Sequence, residues 1–387
     1  MIKDSPATVK SFVHGRGTAE SRWARFGPYY AMFPMDFAYD VITRYSKPED
    51  YVLDPFAGRG SGLFAAASLG RVACGIEINP VGWLYSKVKL SPAPIEQVKK
   101  RLLAVADASK TPKTRCSGLP DFFRYCFEDD VLKFLMMARE ILNWESDNTD
   151  STLMAFILHY LHGKKGQSLS NQMSMVKAMS PRYSIDWWTK KGLTEPPSID
   201  VLSFFEKRLE WRFQKGAPSF QGSRAILGDC VVELAELAQE ATNNKGKYSL
   251  LFTSPPYQGV TNYFTDQWLR YWMLGGSAQP KTDSGKHKKR FNSETEYLEL
   301  LDDVFLLCKG LMKDDAIIYV RTDSRKFTFD ATCAALTKHF PSHQFSQKDD
   351  KCEKLSQTEL YNNSKRKPHE VDIILKPYKA SGIQAKN

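Results

Sequence analysis

The sequence lacks any apolar stretch long enough to cross a membrane. Its longest apolar runs, such as Leu63–Leu69, fall far short of the roughly 20 residues that a spanning helix needs. The N-terminal residues, MIKDSPATVK, contain no apolar signal-peptide core, so we expect a cytoplasmic protein. The seven cysteines are scattered singly, without a CxxC pair, which argues against a zinc ribbon and against a disulfide framework.

The chain has an ordinary apolar content and a modest excess of positive charge. The hydrophobic fraction of 42% and the charged fraction of 25% exclude disordered and fibrous classes. The 54 Lys and Arg residues outnumber the 44 Asp and Glu residues, which gives a formal net charge of +10. This balance indicates a polyanionic partner, although many soluble proteins are mildly basic. The length of 387 residues allows two or three domains.

Strand and helix signals alternate in two separated parts of the chain. Tyr51–Leu53 is a short apolar strand that ends at Asp54, and a helix over Ser61–Leu69 follows a glycine-rich turn. The pattern continues with a strand at 71–79 and a helix at 80–90, and it returns with strands at 224–229, 248–253, 316–321 and 371–375. This rhythm predicts an α/β fold with a doubly wound, parallel sheet.

Between the two parts, residues 91–222 lose this rhythm and show mainly helical spacing. They also contain a polar, basic stretch, HGKKGQSLSNQMSMVKAMSPRY. We therefore predict an inserted helical subdomain. The predicted division is an N-terminal arm at 1–21, an α/β domain at 22–90 and 223–379, the insertion at 91–222 and a tail at 380–387.

The turn after the first strand, DPFAGRGS over Asp54–Ser61, has a composition that suits a ligand. Gly58 and Gly60 allow a sharp turn and close approach of the backbone, and the start of the next helix offers free N–H groups. Glu77, at the end of the second strand, can accept both hydroxyls of a ribose. The turn begins with an acidic residue and lacks both GxGxxG and a GKS or GKT ending, so it favours a ligand with a cationic end. S-adenosylmethionine meets that description, and a glycine-rich turn without a ligand is the alternative.

A second motif, TSPPY over Thr253–Tyr257, directly follows the strand YSLLF. Its two prolines fix φ and remove two N–H donors, which leaves backbone carbonyls as acceptors. Ser254 adds a side-chain acceptor and Tyr257 a flat aromatic face. Such a set can hold an exocyclic NH2 group while a base stacks on the ring. A rigid Pro-Pro turn is the structural alternative, but the edge of a parallel sheet is where ligands bind in this architecture.

The two motifs together resemble the S-adenosylmethionine-dependent DNA amino-methyltransferases, which modify cytosine N4 or adenine N6. DPFAGRGS is similar to the cofactor motif of this family, and TSPPY to its catalytic motif of Asp, Asn or Ser followed by Pro-Pro and an aromatic residue. GIEINP resembles the acidic motif, GPYYAMFP the stretch that closes over the methionine end of the cofactor, and ILGD the segment whose aspartate contacts the adenine. The resemblance covers about 22–90 and 223–379.

The resemblance implies a Rossmann-like methyltransferase sheet that is mostly parallel, with an antiparallel last strand. It also implies S-adenosylmethionine as cofactor and double-stranded DNA as partner. The residues implied for catalysis are Ser254, Pro255, Pro256 and Tyr257. Those implied for cofactor binding are Tyr30, Phe33, Pro34, Asp54, Pro55, Phe56, Gly58, Gly60, Ser61, Glu77, Ile78, Asp229 and Cys230.

Serine at the first position of TSPPY is commonest among the cytosine-N4 enzymes of the family, so we predict cytosine N4 as the target. Adenine N6 is the nearest alternative, and a catalytically silent DNA-binding subunit with the same fold is another. Cytosine C5 methylation is disfavoured, since it needs a thiolate nucleophile, usually in a Pro-Cys setting, and the chain has no Pro-Cys dipeptide.

The contacts to DNA are predicted from two basic segments. The candidate residues are Lys164 and Lys165 in the insertion and Lys286, Lys288, Lys289 and Arg290 in the loop after the catalytic motif. The alternative for the insertion is a structural helical lid, and the alternative for the loop is a solvated charged surface. The histidines show no ligand spacing, so we predict no metal. We expect a DNA-associated protein of bacterial or phage type, with a restriction endonuclease as a possible separate partner.

Overall fold

The computed structural model describes residues 17–29, 32–111, 118–240, 247–258, 263–280, 293–349 and 370–378. In these residues the chain forms one seven-stranded sheet with helices on both faces. The strands are β1 (Tyr51–Asp54), β2 (Val72–Glu77), β3 (Arg224–Leu227), β4 (Tyr248–Thr253), β5 (Met312–Asp323), β6 (His343–Asp349) and β7 (Glu370–Pro377).

The strand order is β3-β2-β1-β4-β5-β7-β6. Neighbouring strands from β3 to β5 pair in parallel, and β7 runs antiparallel to both β5 and β6. This confirms the predicted α/β class, including the antiparallel last strand. The order reverses at β1, since the chain adds β2 and β3 on one side and then crosses to β4 on the other. Ligands bind at such a switch point, beyond the carboxyl ends of the strands.

Fifteen helices accompany the sheet in the described part of the chain. They are α1 (Ala19–Ala24), α2 (Met35–Tyr45), α3 (Ser61–Ser68), α4 (Pro80–Leu90), α5 (Ile95–Ser109), α6 (Asp121–Cys126), α7 (Asp129–Ile141), α8 (Asn148–Tyr160), α9 (Pro181–Lys190), α10 (Val201–Phe213), α11 (Cys230–Gln239), α12 (Tyr263–Asp266), α13 (Trp268–Met273), α14 (Glu294–Leu311) and α15 (Lys326–His339).

Both faces of the sheet are covered, which explains why its central strands are apolar throughout. On β1, Val52 packs into a core with α2 and α3, whereas Leu53 packs into the opposite core with α11, α14 and α15. Successive side chains of a strand point to opposite faces, so a strand covered on both sides has no polar alternation. The sequence signal at 51–53 arises from this double burial.

The insertion is helical, as predicted, and it packs on the α/β domain. Helices α5 to α10 lie within residues 91–222, and α8 packs against α4 while α10 packs against α1. Arg270 of α13 is fully buried and donates to the carbonyls of Leu158 (2.9 Å) and Met175 (2.7 Å) in the insertion. The insertion is therefore joined to helices on both sides of the catalytic motif.

Several elements differ from the sequence prediction. Helix α1 begins inside the predicted N-terminal arm, where Thr18 caps it and Trp23 is fully buried. Helix α15 and strand β6 are not predicted from the sequence. Strand β5 extends from 312 to 323, beyond its apolar centre at 316–321. No helix among the described residues is both long and apolar enough to cross a membrane.

One buried contact between the insertion and the N-terminal segment gives a prediction about pH. The Gly27 N–H donates to His159 Nδ1 (3.0 Å), and the imidazole stacks on Phe26 with ring centroids 4.9 Å apart. Burial, followed by the nearby charges of Arg212 and Arg270, lowers the pKa of His159 well below its usual range. The folded state therefore excludes a proton that the unfolded chain takes up below about pH 6.5.

We expect the contribution of His159 to the unfolding free energy to fall as pH drops below about 6.5. In His159→Gln, whose amide oxygen can still accept from Gly27, the slope below that pH should decrease by up to about 1.4 kcal/mol per pH unit. Urea unfolding of both proteins from pH 7.5 to 5 measures the slopes. The difference in unfolding free energy at pH 7.5 gives the loss of packing, and the change in slope gives the loss of the titrating group. Equal slopes would show that His159 is not held neutral.

Candidate active site

The cofactor-type turn and the catalytic-type motif meet at the switch point of the sheet. β1 and β4 are adjacent, with Val52 opposite Leu250 and Leu53 opposite Leu251. At their carboxyl ends, Thr253 Oγ1 donates to Asp54 Oδ1 (2.7 Å), which also accepts from the Phe56 N–H (3.1 Å). Burial raises the pKa of Asp54 to about 7, against the lowering effect of these hydrogen bonds. Asp54 thus joins the turn to the strand that carries TSPPY.

The turn itself depends on glycine. Gly58 and Gly60 have φ values of 55° and 70°, in the left-handed region that favours glycine. Gly60 is the N-cap of α3, so the helix begins directly at the turn. Helix α4 approaches closely: a Cβ added at Gly82 would lie 2.8 Å from the Gly58 carbonyl oxygen, and Ser86 Oγ donates to that oxygen (3.0 Å). The backbone of the turn is therefore held between two helices.

Glu77, at the end of β2, faces the same turn. Its Oε2 accepts from the Gly58 N–H (2.6 Å) and its Oε1 from the Asn79 N–H (2.8 Å). Burial is the main reason that the pKa of Glu77 rises to about 7, and the backbone N–H groups counteract it. Each carboxylate oxygen has a second lone pair, so Glu77 can hold the turn and still accept a hydroxyl from a ligand.

A cavity of about 470 Å³ lies beyond the ends of β2 and β3. Ile78 and Asp229, both predicted from the sequence, line it. Asp229 is also the N-cap of α11 and accepts from the Val231 N–H (3.0 Å), and Cys230 is buried beside it. Ile78, in the cavity wall, directly follows Glu77 in the chain. The structure therefore brings Glu77 and Asp229, the predicted acidic and adenine-contacting residues, to one side of the turn.

The insertion supplies part of the cavity wall, which sequence reasoning missed. Trp144 and Glu145, between α7 and α8, line it from one side, and Tyr271 of α13 lines it from another. Lys87 Nζ donates to the Glu145 carbonyl oxygen (3.0 Å), which holds this segment against α4. No motif marks Trp144, because its position depends on how the insertion folds back.

The N-terminal segment contributes unequally. Phe33 is buried and stacks on Phe252 of β4, with ring centroids 4.5 Å apart, and Pro34 is the N-cap of α2. Tyr30 lies outside the described residues. Buried Arg59 was also missed: its guanidinium donates to the Gly27 carbonyl oxygen (2.8 Å), and burial lowers its pKa to about 10. Arg59 therefore links the turn to the segment that precedes Phe33.

The catalytic-type motif continues from β4 along the same edge. Pro55 and Ser61 of the turn and Pro255 of the motif are buried, whereas Phe56, Ser254, Pro256 and Tyr257 are half-buried. Ser254 Oγ lies 3.5 Å from Tyr257 Oη, which lies 3.3 Å from Glu370 Oε1 on β7. Sequence reasoning missed Glu370, since it lies more than 100 residues beyond the motif.

The predicted DNA contacts are only partly described. Lys164 and Lys165 are exposed on the insertion, and Lys165 Nζ donates to the Glu195 carbonyl oxygen (3.2 Å). Lys286, Lys288, Lys289 and Arg290 lie outside the described residues. Within the residues that the structure covers, no group of three or more His, Cys, Asp or Glu side chains has a geometry that could hold a metal ion.

Comparison with known proteins agrees with this geometry. Residues 9–82 match the family model N6_N4_Mtase, described as DNA methylase. The type II methyltransferase M.AvaI from Nostoc sp. is 36% identical over 338 residues, covering 77% of this chain and 65% of that protein. The type II methyltransferase M.MvaI from Kocuria varians is 28% identical over 134 residues, 31% of this chain and 29% of that protein.

The chain is similar to the DNA methylase family over residues 9–82 and to a type II methyltransferase over 77% of its length. The family match thus includes the cofactor-type turn and Glu77, which both lie within residues 9–82. The chain spans 65% of the length of M.AvaI. Among solved structures, an rRNA methyltransferase from Streptomyces viridochromogenes covers 96% of the chain at 12% identity, with a TM-score of 0.33. A likeness this weak carries no weight for the fold or the function.

The raised pKa of Asp54 predicts how the family's cofactor should bind. A cationic ligand favours the ionised carboxylate, so the affinity for S-adenosylmethionine should rise as pH increases through about 7. Asp54→Asn should weaken binding at pH 8 by about tenfold and flatten this rise, since Asn cannot ionise. Isothermal titration calorimetry at pH 6, 7 and 8 measures both effects.

Asp50→Asn is the matched control. Asp50 precedes the same strand and also accepts a hydrogen bond from a hydroxyl of β4, that of Ser249 (3.0 Å), but at the opposite edge of the sheet. The Asp50→Asn variant should have unchanged cofactor affinity at every pH. Equal behaviour of the two variants would exclude Asp54 from the cofactor site.

Proposed function

We propose that this chain is a DNA methyltransferase that transfers a methyl group from S-adenosylmethionine to the exocyclic N4 amine of a flipped cytosine in duplex DNA, in a restriction-modification or related epigenetic system. The observation that carries the proposal is the joining of the two motifs by Asp54 and Thr253. It places the groups that suit a cationic cofactor beside those that suit an amine. The similarity to the type II methyltransferases M.AvaI and M.MvaI supports the same activity.

The residues present fit the cofactor. The 470 Å³ cavity is large enough for a nucleoside, and Ile78 and Asp229 line it. Glu77 would hold the ribose hydroxyls, and the turn from Asp54 to Ser61, with Phe33 and Pro34 nearby in the fold, would hold the remainder. Bound there, S-adenosylmethionine supplies a methyl group on a positively charged sulfur.

The catalytic motif would position the amine. Ser254 Oγ and the Pro255 carbonyl oxygen would each accept a hydrogen bond from the NH2 group, and Tyr257 would stack on the flipped base. These contacts draw the nitrogen towards tetrahedral geometry, so its lone pair can form the new N–C bond as the C–S bond breaks. The bound cofactor would supply the methyl group from a sulfonium that leaves as a neutral thioether, and the amine nitrogen would release one proton to water. Positioning and electrostatics supply the acceleration.

The described contacts of the insertion support a role in target recognition. The segment 176–179 lies against the helices that follow the catalytic motif: Gln267 Nε2 donates to the Val176 carbonyl (3.1 Å), and Trp268 Nε1 to that of Met179 (3.0 Å). This segment belongs to the polar stretch that carries Lys164 and Lys165. The stretch is therefore joined to the helices that follow the motif at which a flipped base would lie. Lys286, Lys288, Lys289 and Arg290 would contact phosphates flanking that base, and a restriction endonuclease would be a separate chain.

Ser254→Ala and Tyr257→Ala test the catalytic assignment. Each removes a contact to the target amine or base, so we expect kcat to fall on the order of 100-fold or more while cofactor affinity stays nearly normal. Ser249→Ala, which removes a hydroxyl at the other end of β4, is the control and should keep wild-type kcat. Near-normal rates in both motif variants would contradict the assignment.

The base and atom that receive the methyl group need a separate experiment. Nucleoside mass spectrometry of DNA from cells expressing the protein should reveal N4-methylcytosine, with the Ser254→Ala variant as the blank. N6-methyladenine instead would establish the nearest alternative, which the same site geometry could serve. No methylated base, with DNA binding retained, would identify a catalytically silent subunit.

A further inference from the structure

The hydroxyl of Tyr257 lies between two side chains that differ in what they can donate. Tyr257 Oη is 3.3 Å from Glu370 Oε1 and 3.5 Å from Ser254 Oγ. Both distances exceed the roughly 2.5–3.0 Å of a strong O–H···O bond, and such contacts often shorten only when substrate is bound. An ionised carboxylate accepts only, so Tyr257 donates to Glu370 and its oxygen accepts from Ser254.

Glu370 is held in its orientation by Arg321. The Arg321 guanidinium donates to Glu370 Oε2 (3.1 Å) and, through two nitrogens, to both oxygens of Asp372 (2.6 and 2.9 Å). It also lies over the Phe37 ring, 3.5 Å from the centroid. Arg321 and Asp372 are almost fully buried. A guanidinium fixed this way holds Glu370 Oε2 and leaves Oε1 directed at Tyr257.

The register of the sheet makes this arrangement possible. Arg321 lies opposite Asp372, and Asp323 lies opposite Glu370, in the antiparallel pair of β5 and β7. Residues directly opposite, and residues two apart on one strand, share a face of the sheet. The antiparallel last strand therefore carries its carboxylates to the edge where β4 delivers Ser254 and Tyr257.

We propose that Glu370 is a positioning residue that sets the direction of the hydroxyl protons at the catalytic motif. Glu370 accepts the hydrogen bond of the Tyr257 hydroxyl, so the Ser254 hydroxyl donates its hydrogen bond to the Tyr257 oxygen. The lone pairs of Ser254 Oγ then remain to accept a hydrogen bond from the target amine. A serine needs this direction because a hydroxyl can donate or accept, whereas an aspartate at the same position only accepts. The inference rests on the proposed function, in which Ser254 accepts from the amine.

Glu370→Gln tests the proposal without changing size. The Gln oxygen should turn to Arg321, so its NH2 group faces Tyr257 and reverses the direction of the hydrogen bonds. We expect kcat to fall about tenfold or more, with KM for DNA and cofactor affinity unchanged. The matched control is Glu240→Gln, since Glu240 is also paired with an arginine, Arg224 (3.2 Å). This pair is exposed and lies at the amino end of β3, at the opposite edge of the sheet from the motif. Wild-type kcat in Glu370→Gln would overturn the proposal.

A double-mutant cycle shows whether Glu370 acts through Tyr257. Tyr257→Phe removes the hydroxyl that connects Glu370 to Ser254, so adding Glu370→Gln to it should lower kcat little further. If Glu370→Gln lowers kcat as much in the Tyr257→Phe background as in wild type, Glu370 acts by another route and the proposal fails.

A spectroscopic signal separates this inference from the proposed function. With 3-fluorotyrosine at position 257, the fluorine resonance reports on the partner of the hydroxyl, and it should move in Glu370→Gln but not in Glu240→Gln. An unmoved resonance in an active enzyme would overturn the role of Glu370 alone. If the resonance moves in Glu370→Gln but the wild-type protein transfers no methyl group, the proposed function fails, and with it the role given to Ser254.

Discussion

The hydrogen bond from Thr253 to Asp54 is the contact on which the rest of the site depends. It joins residues 199 positions apart in the chain, at the carboxyl ends of two neighbouring parallel strands. The pairing of β1 with β4 beneath it is fully apolar, and buried polar groups must find partners within such a core. Because Asp54 Oδ1 accepts from both the turn and β4, moving the two motifs apart would remove one of the two hydrogen bonds of this buried carboxyl group. The turn after β1 and the motif after β4, which are far apart in the sequence, are thus held side by side.

The strand order explains how the chain accommodates a long insertion. The insertion leaves after α4 and returns at β3, so it enters on the side of the sheet away from β4 and β5. It then packs back on α4 and α13, through backbone carbonyls that accept from Lys87 and Arg270. In doing so it places Trp144 in the wall of the cavity next to Glu77. The insertion therefore helps to shape the cavity as well as extending the surface.

What the sequence predicts is local, and what it misses depends on distant pairing. The strand, turn and helix around Asp54 are legible because double burial and glycine geometry act within a few residues. TSPPY is legible for the same reason. Glu370 and Trp144 are not, since nothing near them in the chain shows that they reach Tyr257 or the cavity.

The net charge is also less simple than the composition implies. Arg59, Arg212 and Arg270 are buried, and they donate to the backbone carbonyls of Gly27, Arg22 and Leu158. Lys89 is fully buried as well, and burial lowers its pKa well below the usual range. The three arginines fasten the insertion and the N-terminal segment to the α/β domain, and all four buried side chains are unavailable to phosphates. Part of the +10 excess therefore serves the architecture. The charge that can meet DNA must be sought in exposed residues such as Lys164 and Lys165 of the insertion.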